Sequence, residues 1–480
     1  VNDANKISEG MHFGAWRKGG AGFLKSGLIL ASMLAATGFA HAQSAAPAPA
    51  ADDSLTYKGI TLYGIVDIGL QYQTHGAPIN DYFPAGSADI VQKNSNHSIT
   101  GVTPNNLSQS RIGLNGVEPL FDDWTAVFKL ETFFNPQSGQ ISDALKSLAQ
   151  NNGRSVASGT QTTNIDSSVA GQFFTQSFVG FSSKSAGTIT FGRQNTLLAD
   201  AVAKYDPNAA SQAFSLIGLS GTTAGGGDTQ NRRLDSSLKY SATLAHLLHV
   251  GAMYKFSGSS GIANTAFEGN LGFDYAGFSL DGYYTKVRDA IAVSALSAAQ
   301  VAGLPALGLS PSNSLAGTVS DNTSFSFMAL YSFNPLKFFA SYEHISYGNP
   351  VNPLPVGFDD IGGYKLAVVN NAAFPENKVL QVYWAGVKWS ASSTLDLTFA
   401  YYGYHQNAYG TGAVAGCKNA SSAFCSGQLE APTFDAVWKM SKRFDSYAGI
   451  MYTGVRNGLA NGYVFHTTDL NPTVGVRYKF

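Results

Sequence analysis

A strict two-residue alternation, repeated from one end of the chain to the other, limits what this sequence can fold into. In TVGVRYKF, Val474, Val476, Tyr478 and Phe480 share one parity, and Gly475, Arg477 and Lys479 the other. In GITLYGIVDIGLQY, Ile60, Leu62, Val66, Ile68, Leu70 and Tyr72 oppose Thr61, Tyr63, Asp67, Gly69 and Gln71. WTAVFKLETF sets Trp124, Ala126, Phe128 and Leu130 against Thr125, Lys129 and Glu131. LHVGAMYKF sets Leu248, Val250, Ala252, Tyr254 and Phe256 against His249 and Lys255, and FSLDGYYT and TLDLTFAYYGY repeat the scheme. Successive side chains of a strand point to opposite faces, so a period of two predicts strands. Most of these segments have about ten residues or fewer, the length that crosses a bilayer when a strand is tilted.

A soluble β-sandwich also alternates, and two features separate the cases. The apolar face here is uniformly large and often aromatic, while the other carries Arg, Lys, Asp, Glu, Gln and Thr, as for a sheet with lipid on one side and water on the other. Connections also alternate in length. Short ones are expected at 118–123, 183–186, 275–277, 334–335, 390–393 and 441–445. Long stretches fall near 74–107, 134–171, 195–231, 287–322, 345–378 and 405–430. Long structureless loops are uncommon in compact soluble domains. Short turns at one end and long loops at the other are the habit of an outer-membrane barrel. The count is about sixteen strands, an even number that lets the last pair with the first. The predicted fold class is therefore all-β: a transmembrane antiparallel β-barrel over residues 54–480, with short periplasmic turns and long extracellular loops.

Composition agrees. Charged residues make up 13% of the 480, about half the usual ~25%. The 52 glycines suit many turns. A net charge of -1 gives no reason to expect a nucleic-acid partner. No run of 18 apolar residues follows the leader, so no membrane helix is expected. The leader itself is read at 11–42: Met11, then Arg17, Lys18 and Lys25, then GLILASMLAATGFA and the small-x-small site Ala40-His41-Ala42. That is the pattern of a cleaved secretory signal peptide. Residues 1–10 are expected to be a mis-assigned start, and 43–53, QSAAPAPAADD, a flexible lead-in. The two cysteines, Cys417 and Cys425, lie in a Gly/Ala/Ser-rich stretch of an exported chain, which predicts a disulfide closing a small loop. Their spacing excludes a CxxC metal site.

Six blocks in order, TLYGIVDIGLQY, SQSRIGLNG (108–116) with AVFKLE (126–131), TITFGRQNT (188–196), RRLDSSLKYSA (232–242), SKRFDSYAGIMY (441–452) and the terminal Phe480, resemble the general porins of Gram-negative bacteria, closest to the betaproteobacterial type. The resemblance covers about 55–480. It implies a 16-stranded barrel, a homotrimer in the outer membrane among lipid and lipopolysaccharide, and a third outer loop folded into the lumen. It also implies that the terminal aromatic is read by the barrel-assembly machinery. The function it implies is a water-filled channel for passive diffusion of ions and small polar solutes, with no enzymatic activity, cofactor or metal.

A channel filters by size and fixed charge at its narrowest section. Arg111 precedes Ile112 and Leu114 and so falls on the lumen side; Lys129 and Glu131 face inward by the same count. In RRLDSSLKY, Arg233, Asp235, Ser237 and Lys239 are predicted inward, and by resemblance Arg111, Arg232 and Arg233 match constriction arginines. The third long stretch, NTLLADAVAKYDPNAASQAFSLIG, carries Asp200 and Asp206 and a helical patch over 197–204; it supplies the acidic side. On the strand QFFTQSFVGF some members of that family have a further arginine, and this chain has Gln176 nearby, which weakens the case for strong anion selectivity. Arg193 shares the parity of Ile189 and Phe191, so the rim is its expected place. Trp124, Phe128, Tyr254, Trp389, Tyr401 and Tyr478 read as girdle aromatics. Tyr63, Tyr283, Tyr402 and Tyr404 point inward, where a sugar-lined path is the rarer use.

Other classes have weaker support. Ser236-Ser237-Leu238-Lys239 contains SxxK, but on a strand the two residues point to opposite sides. His249, His344 and His405 are isolated, and Asp359-Asp360 reads as a solvated loop pair. A substrate-selective channel, or a plugged barrel serving as a loop-based binding or adhesion platform, stays open.

Overall fold

The computed structural model describes residues 40–41, 55–75, 98–137, 139–141, 173–219, 232–257, 265–294, 304–307, 314–353, 359–361, 364–371, 376–412, 424–460 and 466–480. The expected start, nearly all of the leader, the whole lead-in and Cys417 lie outside them. All elements below belong to the unit formed by residues 39–480.

Sixteen strands close into one antiparallel barrel. They are β1 (Ile60–Gln73), β2 in two stretches (Ile99–Pro104 and Arg111–Pro119), β3 (Trp124–Asn135), β4 (Gln176–Ser183) and β5 (Gly187–Asn195). They continue as β6 (Arg233–Leu244), β7 (Leu248–Lys255), β8 (Ala266–Tyr275), β9 (Phe278–Ser294), β10 (Ser314–Phe333) and β11 (Leu336–Gly348). The last five are β12 (Lys378–Ser390), β13 (Leu395–Gln406), β14 (Gly427–Lys439), β15 (Phe444–Asn457) and β16 (Thr468–Lys479). Each pairs with its neighbours in sequence, and β16 pairs with β1, with Tyr478 opposite Val66 and Val476 opposite Ile68. The seam continues through Phe480, whose backbone N–H donates to the Gly64 carbonyl at 3.0 Å while its own carbonyl accepts from the Gly64 N–H at 2.9 Å. A side chain at Gly64 would collide with the Phe480 ring, so the close approach of the two strands needs glycine there.

The faces divide as alternation predicts. Leu70, Val102, Val179, Phe181, Leu271, Phe327, Phe399, Trp438 and Val474 are exposed on the outside, where lipid lies, as are the girdle residues Tyr254, Trp389 and Tyr478. Tyr63, Asp67, Gln71 and Glu131 are buried inside. Short turns gather at one end of the barrel, at 120–123, 184–186, 245–247, 276–277, 334–335, 391–394 and 440–443.

Three features depart from expectation. The stretch 74–107 is not wholly loop, because Ile99–Pro104 already pairs with the upper half of β1. Residues 105–110 then leave the sheet before Arg111 resumes pairing. The interior is also not polar throughout. Over β7–β15 the inward positions include Met253, Val287, Met328, Ile345, Val382, Trp384, Ala400, Tyr402, Ala431 and Met451, all buried in one apolar cluster. The reason lies in the third loop. Its helix α1 (Leu197–Tyr205) and a further helical turn at 216–219 turn Leu198, Val202, Tyr205, Leu216 and Ile217 onto this wall. The loop is held inside the barrel by a hydrophobic core of its own.

Trp384 lies at the centre of that core, with its indole Nε1–H donating to the Tyr205 carbonyl at 3.0 Å. Trp384→Ala removes a fully buried aromatic, a change that costs ~3–5 kcal/mol in protein cores. Thermal unfolding in detergent is expected to show a clearly lower Tm for this variant, with noisier single-channel current as the loop loosens. An unchanged Tm would contradict the packing described.

Candidate channel constriction

The third loop is fastened at both ends and along its length. Thr196 caps α1, its hydroxyl accepting from the Ala199 N–H, and the Glu268 carboxylate accepts from the Leu197 N–H at 2.7 Å. A carboxylate beside the first turn also suits the helix dipole. In the last turn, Lys204 lies 3.4 Å from Asp274 and 3.5 Å from Asp281. The Tyr205 hydroxyl meets Asp281 and Ser279. His249, isolated in sequence, is clamped between these carboxylates: Nε2 is 2.8 Å from Asp274 and Nδ1 3.2 Å from Asp281. Its role is structural.

Beyond α1 the loop turns back. Asp206 accepts from the hydroxyls of Ser215 (2.6 Å) and Tyr402 (2.5 Å) and from the Ala210 N–H (2.7 Å). It is 2% exposed, so it does not line the lumen as the sequence suggested. It pins the loop to β13. The loop then crosses to the excursion in β2, where the Ser211 hydroxyl and the Ala213 N–H both donate to the Asn106 carbonyl, at 2.7 and 3.0 Å. Asp67 holds that excursion in place, accepting from the N–H groups of Leu107 and Ser108 and from the Tyr447 hydroxyl. Tyr447 in turn packs edge-on against Phe214.

With the loop fixed to the far wall, the charged wall of β1–β6 faces it. Glu131 sits at its centre, 1% exposed. It accepts from the Tyr63 hydroxyl at 2.9 Å and the Gln176 amide at 3.0 Å, and lies 3.5 Å from Lys129 and 3.9 Å from Arg111. Arg233 lies over the Phe133 ring at 4.6 Å, within electrostatic reach of Glu131, Arg111, Arg193 and Arg232. Arg111, Lys129, Arg232, Arg233 and Glu131 are thus brought together.

Asp200 partly faces the same space from α1, accepting from Lys239 and, at 2.9 Å, from the Asn195 amide. Burial alone would raise its carboxyl, but Lys239 outweighs that and holds it below the usual carboxylate range. Lys239 was legible as inward-facing; its role as the partner of Asp200 was not. Arg193 was missed as a member of the wall. The register slips between Leu234 and Ser237, with Ser236 and Gly192 at positive φ, and a bulge re-aims neighbouring side chains. Arg193 accordingly pairs with Asp235, and Leu234 rather than Arg233 joins the inward apolar cluster.

The inward tyrosines form no free stacking path. Tyr63 binds Glu131, Tyr402 binds Asp206, and Tyr283 and Tyr404 pack in the apolar cluster. Cys425 is buried and disulfide-bonded; the expected partner, Cys417, lies outside the described residues. No cluster of potential metal ligands occurs among the described residues.

Because the Asp200 carboxyl is depressed in the folded state, its pairing with Lys239 adds stability above the unfolded value near pH ~3.9 and loses it as pH falls through the folded value. Asp200→Asn is expected to lower Tm at pH 7 relative to the parent, with the gap closing as the medium is acidified below about pH 4. A gap independent of pH would contradict the pairing.

Comparison with known proteins agrees with this geometry. Residues 29–458 match the model of the Gram-negative porin family. An outer membrane porin protein of Bordetella pertussis is 30% identical over 234 residues, 49% of this chain. The chain spans about half, 49%, of that relative's length. The anion-selective porin from Comamonas acidovorans superposes with a TM-score of 0.56 at 17% identity, covering 88% of this chain and 99% of that one. The trimer form of OmpT from Vibrio cholerae gives 0.51 at 12%, covering 88% and 99%. The match of most of the chain to the family model, on a closed sixteen-stranded barrel with an inward third loop, makes this chain a member of the Gram-negative porin family.

Proposed function

We propose that the chain is a passive outer-membrane diffusion channel for ions and small hydrophilic solutes, with a weak preference for anions set at the constriction. The observation that carries this is the charge of the gap between wall and loop. Arg111, Lys129, Arg193, Arg232, Arg233 and Lys239 face Glu131, Asp200 and Asp235, six cations against three carboxylates. Arg233 is 7% exposed and has two guanidinium nitrogens, Nε and Nη1, without an acceptor, so it has donors to offer a passing anion. The opposed charges of Arg111 and Asp200 set a transverse field that orients polar solutes and disfavours apolar ones, which cannot replace ordered water. The likeness to an anion-selective porin is one of fold and lends the reading no more than that.

The same proposal takes the working unit as a homotrimer, in line with the trimer form known for OmpT of Vibrio cholerae. It includes export with cleavage after Ala42, a Cys417–Cys425 bridge, and recognition of Phe480 during assembly.

Reversal potentials in a KCl gradient test it. The parent is expected to favour chloride modestly, and Arg111→Ala combined with Arg233→Ala to move the potential toward potassium. The shift should shrink near 1 M salt, where screening shortens to ~3 Å. An unchanged potential would remove these arginines from the filter, and a barrel that carries no current would be a plugged platform.

A further inference from the structure

The outer face of β11–β15 does not stay apolar to its loop end. Across these strands His344 lies opposite Gln381, Gln381 opposite His405, His405 opposite Gln428, and Gln428 opposite Arg456. Each shares the parity of an exposed outward aromatic on its own strand: Phe338, Trp389, Phe399, Phe434 and Tyr452. Neighbouring strands lie about 4.8 Å apart, so the row is about 19 Å long. Strand tilt inclines it to the membrane plane, with Arg456 at the loop end of β15. Followed into β10 and β9, the same row reverts to Phe325 and Tyr284. It is therefore polar over one sector of the barrel.

Toward the turn end follow the outward tyrosines Tyr342, Tyr383, Tyr401 and Tyr452, at the place of an interfacial aromatic belt. The Tyr342 hydroxyl donates to the Gln381 amide oxygen at 3.2 Å, which leaves Gln381 its N–H donors. Among the described residues neither His405 nor Gln428 has a side-chain hydrogen-bond partner. Arg456 is offset by Glu430, whose carboxylate lies 3.0 Å from Nη2. The row thus offers hydrogen bonds rather than net charge.

Amide and imidazole groups left without partners cost free energy against hydrocarbon, so the occupant of this sector is polar at the row. Below the tyrosines it is hydrocarbon, against the exposed Phe338, Phe399 and Phe434. The row is continuous with the lipid-facing surface, which makes that occupant a lipid. Its length calls for a wider headgroup than a two-chain phospholipid carries. A phosphorylated disaccharide bearing several acyl chains is wide enough, and its hydroxyls and amides match the donors and acceptors of glutamine and histidine.

We propose that this row binds the sugar headgroup of an outer-leaflet glycolipid, through Gln381, His405 and Gln428. The acyl chains then lie along the apolar lower halves of the same strands. The proposal rests on the outer-membrane reading for which end of the barrel faces outward; the pore takes no part in it.

Native mass spectrometry of the detergent-solubilised mature protein, titrated with a rough-type lipopolysaccharide and separately with phosphatidylethanolamine, tests the site. The parent is expected to form a saturable lipopolysaccharide adduct at least tenfold tighter than any phospholipid adduct. Gln381→Leu/His405→Leu/Gln428→Leu makes the row as apolar as its continuation in β10 and is expected to lose that tenfold preference. His405→Gln is expected to keep it. The heat-modifiable gel shift certifies a folded barrel in each. Equal preference in the parent and the leucine variant, or no preference in the parent, would overturn the site. A leucine variant that changes its subunit number while holding the glycolipid would assign the row to contact with a second copy and overturn it too. None of these results touches the channel reading, since the leucine variant's reversal potential judges that separately and is expected to equal the parent's.

Discussion

In hydrocarbon no water is available for an unpaired N–H or C=O, and each such group costs several kcal/mol. A sheet that crosses a membrane must therefore have no edge, and everything else in this protein follows from the seam between β16 and β1. Closure fixes which face of every strand meets lipid. It requires the aromatic and branched residues on that face, and it encloses a lumen in which polar groups can be placed at will. The backbone bonds between Phe480 and Gly64 matter in this sense, since they carry the seam to the last residue present.

The lumen is then divided rather than uniformly wet. A loop that runs from 196 to 232 cannot hold a fixed position in water by hydrogen bonds alone, because each is exchanged for one with solvent and nets only ~1 kcal/mol. The chain supplies an apolar wall on β7–β15 and a helix with a matching face. Polar pins then set orientation: Glu268 at the helix start, Asp281 with Lys204 at its end, Asp206 at the reversal and Asn106 at the far side. What is left open is the charged wall of β1–β6. The cationic groups there are close enough that each raises the cost of the others, a conflict that a purely structural wall has no reason to keep and an anion relieves.

Alternation made the strands, their faces and the turn end readable, because a period of two is a local property and lipid enforces it on one face. Tyr63, Lys129 and Glu131 were correctly placed inward on that basis alone. It failed where the cause was not local. The turn at 245–247 carries no Gly or Asn, yet Ala245 and His246 adopt positive φ; within LAHLL nothing marks it. Residues 105–110 read as the end of a loop because the residue that holds them, Asp67, lies some forty positions earlier. Asp206 looked like a pore acid, since an aspartate in an inward loop is expected to meet water, and only the approach of Tyr402 from β13 removes it from the lumen. Arg193 was misplaced because a bulge breaks the parity on which the count depended. Met253, Met328 and Met451 were invisible as a group, since their common partner is a loop distant in sequence from all three.

The central claim is that one face of each strand touches hydrocarbon and the other lines a cylinder of water, and a cysteine scan along β3 tests it most directly. With Cys425 already bonded, single cysteines at Thr125, Ala126, Phe128 and Lys129 are exposed to a charged, membrane-impermeant thiol reagent while current is recorded across a planar bilayer. The account predicts that Thr125→Cys and Lys129→Cys react and change the conductance, and that Ala126→Cys and Phe128→Cys stay silent. Equal reaction at all four positions, or none at the inward pair, would contradict it.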